Sequence, residues 1–123
     1  MTPFGQKLRE MRAARGVALK AMAHAIGVSP AYLSALEHGR RGAPTWFLVQ
    51  RIITYFNVIW DEAEELEKLA HISHPRVTID TSGMHPKITE ASNRLAHTVG
   101  LLDERDAAEI IEILQRKGRP PAA

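Results

Sequence analysis

The sequence predicts an all-α protein, and three observations carry that expectation. Apolar residues recur at helical spacing through most of the chain, cap-forming residues and prolines stand just ahead of these stretches, and glycines stand just behind several of them. Phe4, Leu8 and Met11 fall at i, i+4 and i+7, with Thr2 and Pro3 as cap and first helical position and Gly16 as the stop. Leu19, Met22, Ala23 and Ile26 mark a short second helix closed by Gly27. Ser29 caps and Pro30 opens a third, which turns Leu33 and Leu36 inward and ends at Gly39. The fourth begins at Thr45, after Pro44, and gathers Leu48, Val49, Ile52 and Phe56 on one side. The fifth is expected to begin at Asp61 as its cap. Glu62, Glu64 and Glu65 then suit the positive helix end, and Ala63, Leu66, Leu69 and Ala70 face inward.

Residues 71–86 change in texture. They hold two Pro, one Gly and His71, His74 and His85 without a helical stripe, so they read as a linker, with one short extended piece where Val77 and Ile79 alternate with polar residues. Helical pattern returns with Ile88, Leu95 and Val99, and again from the cap Asp103 through Ala107, Ile110, Ile111 and Leu114 to Gly118. The expected organisation is a helical domain over residues 1–70, a linker over 71–86, a small two-helix unit over 87–118 and a flexible tail over 119–123.

A chain of 123 residues, 45% hydrophobic and 24% charged, has room for one cored domain with a small appendage. The absence of Cys excludes a disulfide framework, a thiolate nucleophile and an iron–sulfur cluster. The longest run without a charge, residues 21–36, is 16 residues and is interrupted by Gly27 and Pro30, too short to cross a bilayer as one helix. No secretory signal is recognisable at the N-terminus, so a cytoplasmic location is expected. The charge is polarised. Residues 1–44 carry seven Lys and Arg against two Glu, a net +5, and the remainder carries nine against twelve acidic residues, a net −3. That division suits a polyanion-binding head on a separate body.

The informative constellation spans residues 19–36. Counted from Leu19, apolar residues fall fourth (Met22), eighth (Ile26), tenth (Val28), fifteenth (Leu33) and eighteenth (Leu36), with Ala23 fifth and Gly27 ninth. Two helices crossing steeply through a short turn need a small residue where their backbones approach and one tolerant of positive φ where the chain reverses. Ala23 and Gly27 answer those needs. The apolar set pins the pair onto its neighbours and leaves the outer face of the third helix free to enter a DNA major groove, roughly 12 Å wide.

With "FGQKLREMRAARG", "AMAHAIGVSPAYLSALEHGRRGAPT" and "LEKLA", residues 4–70 resemble the helix-turn-helix domain of the Cro and phage-repressor family, also called the xenobiotic-response-element (XRE) family. The resemblance implies a five-helix bundle, usually dimeric, that binds operator DNA. It implies that Pro30, Ala31, Tyr32, Ser34 and Ala35 occupy the base-reading positions. Many members place Gln, Arg or Lys where Pro30, Ala31 and Ala35 stand here, so methyl contacts to thymine, polar contacts from Tyr32 and Ser34, and DNA shape are expected to carry more of the specificity. Lys20, Ser29, His38, Arg40 and Arg41 are the expected phosphate contacts, with the free amides opening the second helix. The resemblance further implies that Arg12 and Glu37 form an interhelical salt bridge.

No catalytic constellation stands out. His71, His74 and His85 with Glu67 lack a metal-site spacing, and neither a His-Glu-x-x-His motif nor a Gly-rich phosphate loop is present, so no enzyme activity, metal or cofactor is expected. Trp46, Phe47, Tyr55, Phe56 and Trp60 read as core or dimer contacts rather than a base-stacking platform. The C-terminal helices are too small to enclose a drug-sized ligand, so no small-molecule effector is expected and a second subunit is the favoured partner. The resulting expectation is a homodimeric, nucleoid-associated transcription regulator that represses from a palindromic operator. The alternative is an antitoxin-like interaction module whose C-terminal helices neutralise a partner protein, with DNA binding secondary.

Overall fold

Thr2 accepts the Gly5 amide at 3.0 Å and Pro3 takes the first helical position, so α1 (Pro3–Arg15) starts where its sequence dictates. Gly16, at φ 64°, turns the chain out of it. The computed structural model describes residues 1–118; the expected tail, 119–123, lies outside the described residues. After α1 come α2 (Leu19–Ile26), α3 (Pro30–Glu37), α4 (Trp46–Phe56), α5 (Trp60–His71), α6 (Pro86–Thr98), a single 3₁₀ turn (Val99–Leu101) and α7 (Glu104–Gly118). The protein is all-α. Ser29 caps α3 and Thr45 caps α4 through their hydroxyls, at 3.0 and 3.2 Å, and Asn57 in the left-handed region closes α4.

The helices fall into two compact units, Met1–Val77 and a second from Thr78 onward. The first holds α1 to α5 around a core of Phe4, Leu8, Met22, Leu33, Leu36, Ile52, Phe56 and Leu66, all nearly or completely sealed from solvent. Each of these came from an apolar helical stripe, which is why burial follows the periodicity so closely. Arg15 lies over the Phe56 ring, 5.3 Å from its centroid, and covers the core at that edge.

Two backbone features lock α1 to its neighbours. Gly5 is buried against the carboxyl end of α3, and a Cβ there would overlap the Glu37 carbonyl and stand 2.6 Å from its Cα. The buried Ser73 hydroxyl accepts the Phe4 amide at 2.9 Å and donates to the Leu69 carbonyl, tying the start of α1 to the end of α5. The first folded unit therefore extends past Ala70 to include the start of the segment read from sequence as a linker.

Three local expectations are corrected. Asp61 does not cap α5, which begins one residue earlier at Trp60. Ile59 holds the extended cap position without a side-chain bond, and Asp61 and Glu62 sit in the first turn, where the helix dipole still favours them. At this corner Val58 is buried and Trp60 takes φ 40°. Second, α3 ends at Glu37 with His38 as its cap, and Gly39 turns the chain just beyond. Third, no strand forms over residues 76–81, and none occurs anywhere among the described residues. Val77 and Ile79 alternate as a strand would but are both exposed, and a lone extended segment has no ladder partner to hold it.

In the second unit, Asp103 and Asp106 cap α7 reciprocally: Asp103 Oδ1 accepts the Asp106 amide at 2.8 Å, and Asp106 Oδ2 accepts the Asp103 amide at 3.2 Å. His85 caps α6 through Nδ1, which accepts the Lys87 amide at 3.0 Å. The side chain and amide of Ser82 hold the Asp80 carboxyl below its ordinary value in the turn before α6.

Gly5→Ala tests the close passage of α1. In an unobstructed helix this change stabilises by about 0.5–1 kcal/mol. Here the expected outcome is a loss of about 2 kcal/mol, the cost of overpacking, read as a lower urea midpoint. A gain in stability would show that the helices are not in contact there.

Candidate nucleic-acid interface

The elbow between α2 and α3 is built as the residue types require. Gly27 takes φ 79°, and the amides of Gly27 and Val28 return to the carbonyls of His24 and Ala23, at 3.3 and 3.0 Å. Ala23 is completely buried. Arg51, from α4, donates to the Ile26 carbonyl at 3.4 Å and so holds the last turn of α2. That contact was not foreseen from the sequence, because nothing local to Arg51 marks a partner 25 residues away.

The inner side of α3 is anchored by Leu33, Leu36 and Glu37. Glu37 is only 1% exposed, and Arg12 grips both its carboxylate oxygens, Nε to Oε1 at 3.2 Å and Nη2 to Oε2 at 3.0 Å. This is the planar two-point geometry that a buried carboxylate needs. The outer side is open. Pro30 and Ala31 are exposed, and Tyr32, Ser34 and Ala35 are half-buried along its flanks, with Tyr32 packed partly on the core.

The five expected phosphate contacts are all exposed. Lys20 stands in the first turn of α2, and Arg40 and Arg41 follow α3, their amides turned back onto the Ala35 carbonyl at 2.9 and 3.4 Å. Among the described residues no carboxylate pairs with Lys20, Arg40 or Arg41. Ser29 is already engaged as the α3 cap. His38 Nδ1 lies 2.8 Å from the Ser34 carbonyl, which can only accept, so that nitrogen carries the hydrogen and Nε2 is left for an outside group. At α2, unlike α1, α3 and α4, no side chain caps the N-terminus, and its first amides stay available to an anion.

The other residues singled out from the sequence divide. Glu67, His71 and His74 line one hollow of about 150 Å³ with Pro44, Trp46, Val49 and Ala70, whereas His85 belongs to the second unit. Gln50 donates to Glu67 at 2.9 Å, and among the described residues no three His, Cys, Asp or Glu are grouped to hold a metal ion. Of the aromatics, Phe56 is core and Tyr55 packs on it at 5.1 Å between ring centroids, but Trp46, Phe47 and Trp60 are exposed. The core reading fails for those three because they fall off the inward stripe of α4 and at the α5 corner.

Comparison with known proteins agrees with this geometry. Residues 3–69 match a family model described as a helix-turn-helix domain. Over 61 residues the chain is 36% identical to the uncharacterized HTH-type transcriptional regulator RghRB of Bacillus subtilis (strain 168), a match covering 50% of this chain and 44% of that protein. No solved structure matches.

Removing one partner of the buried pair should cost far more than removing both. Arg12→Met alone strands the Glu37 carboxylate and is expected to destabilise by about 3 kcal/mol or more, while Arg12→Met with Glu37→Leu recovers most of that loss. Chemical denaturation of the three proteins checks this, and equal losses in single and double variants would contradict it.

Proposed function

The chain belongs to the XRE-type helix-turn-helix family, and from that premise we propose that it is a DNA-binding transcription regulator that represses from a palindromic operator as a homodimer. One observation carries the reading: α3, held from inside by Leu33, Leu36 and the Arg12–Glu37 pair, turns Pro30 and Ala31 to solvent near the exposed cations Lys20, Arg40 and Arg41, with which no carboxylate pairs among the described residues. In this reading Pro30, Ala31, Tyr32, Ser34 and Ala35 meet base edges in the major groove. Lys20, Arg40, Arg41, Ser29, the free amides of α2 and, in the imidazolium form that carries a hydrogen on both ring nitrogens, the outward Nε2–H of His38 take phosphates.

The base-facing set is short of long hydrogen-bonding side chains, so thymine methyl contacts with Ala31 and Ala35 and the deformability of the operator contribute much of the discrimination. One α3 spans only a few base pairs. Two copies held about 34 Å apart read a symmetric site on one face of the duplex, and a dimer seated on a promoter excludes polymerase. The second unit is the proposed source of dimerisation, since its helices carry apolar stripes of which no residue is fully buried among the described residues.

Recovery of bound genomic fragments tests the reading directly; a shared inverted repeat is expected, and fragments with no common sequence would refute it. Arg40→Ala with Arg41→Ala is expected to weaken binding alike on all sequences and to reduce the slope of log affinity against log salt by about one unit per lost phosphate contact. Substitutions at Ala31 or Tyr32 should instead change which bases are preferred, measured by selection from a random duplex pool. Equal loss on operator and random DNA would refute the base-reading role.

A further inference from the structure

We propose that α7 packs antiparallel against the α7 of a second copy of this chain, about a two-fold axis passing between Ile110 and Ile111. The inference deepens the homodimer reading above and rests on it. Among the described residues no side chain of α6 or α7 is buried, and these two helices make at most marginal contact with each other. A 15-residue helix alone in water is marginal, and its apolar stripe needs cover. Ala107 and Ile110 are half-buried, whereas Ile111 is 51% and Leu114 61% exposed.

The pattern on α7 says what covers it. Ala107, Ile110, Ile111 and Leu114 form the stripe, and its spacing reads the same in both directions. Reversing one copy against the other therefore sets Ala107 against Leu114 of the partner subunit and Ile110 against Ile111 of the partner subunit, apolar on apolar throughout. The charges agree. Asp103, Asp106, Ile110, Ile113 and Lys117 run along one edge of the stripe, acidic at its start and basic at its end. Antiparallel pairing lays Lys117 of the partner subunit between Asp103 and Asp106, and the symmetry makes the contact twice. Parallel pairing leaves that lysine about 16 Å further along the helix from Asp106. Glu109, Glu112, Arg105 and Arg116 fall on the outer side, away from the seam. A foreign partner has no need of a helix that complements its own reverse, whereas a second copy does.

The absence of cysteine makes the full chain a clean background for cross-linking. Ala107 and Leu114 of one helix are about 10 Å apart along its axis, beyond disulfide reach, so any bond formed joins two copies. The variant carrying both Ala107→Cys and Leu114→Cys is expected to give a covalent dimer on oxidation without DNA, while each single variant stays monomeric on a non-reducing gel. Single variants that cross-link as well as the double would overturn the proposal in favour of parallel pairing. No cross-link in any of the three would overturn it in favour of another partner or another face. Sedimentation of the unmodified chain provides a second reading: twice 13.7 kDa is expected, and a monomer at tens of micromolar contradicts the pairing. Neither measurement involves DNA, so loss of the pairing and loss of DNA recognition are separately visible.

Discussion

The passage of α1 over the carboxyl end of α3 fixes where the outer face of α3 points. Gly5 lets the two backbones approach where any Cβ would meet the Glu37 carbonyl, the Thr2 amide donates to that same carbonyl at 3.3 Å, and Arg12 reaches across to grip the Glu37 side chain. A buried ion pair adds little net stability compared with a well-packed apolar pair, but losing either half is costly. Its effect is therefore positional. It permits one seating of α3 on α1, and Ala23, Gly27 and Arg51 fix the seating on the other side through α2 and α4.

Most of this was legible in the sequence, for reasons particular to its residues. Thr2, Pro3, Gly16, Gly27, Ser29, Pro30 and Thr45 each have a local mechanism that sets a helix end, and the structure places those ends accordingly. The start of α5 differs from the expected one because Asp61 offers a good local cap, whereas the helix begins at Trp60 behind Ile59, with no side-chain cap to mark it in the sequence. Long-range contacts left no local trace. Ser73 meets Phe4 across 69 residues and Arg51 meets Ile26 across 25, so neither spacing nor composition announces them. The Arg12–Glu37 pair came from family resemblance, and only the structure shows how deeply Glu37 is sunk. Periodicity alone does not separate core from dimer contact for the large aromatics; the exposure of Trp46, Phe47 and Trp60 removes the core reading for those three and leaves the other untouched.

The two units solve different physical problems with the same secondary structure. In Met1–Val77 every helix surrenders an apolar stripe to a common core, so the outer face of α3 rests on a packed base. In the second unit no side chain of α6 or α7 is fully buried among the described residues, and Ile111 and Leu114 on the α7 stripe stay exposed. Recognition of a symmetric site needs both properties: a fixed α3 within each subunit and a symmetric join between subunits.

Backbone amide NMR of the labelled full chain, titrated with a duplex selected from a random pool, reads the central claim residue by residue. Shifts are expected to concentrate at Lys20, Ala31, Tyr32, Ser34, Ala35, Arg40 and Arg41, with the core around Leu8 and Ile52 unmoved. Shifts confined to other helices, with α3 silent under saturating duplex, would contradict the account.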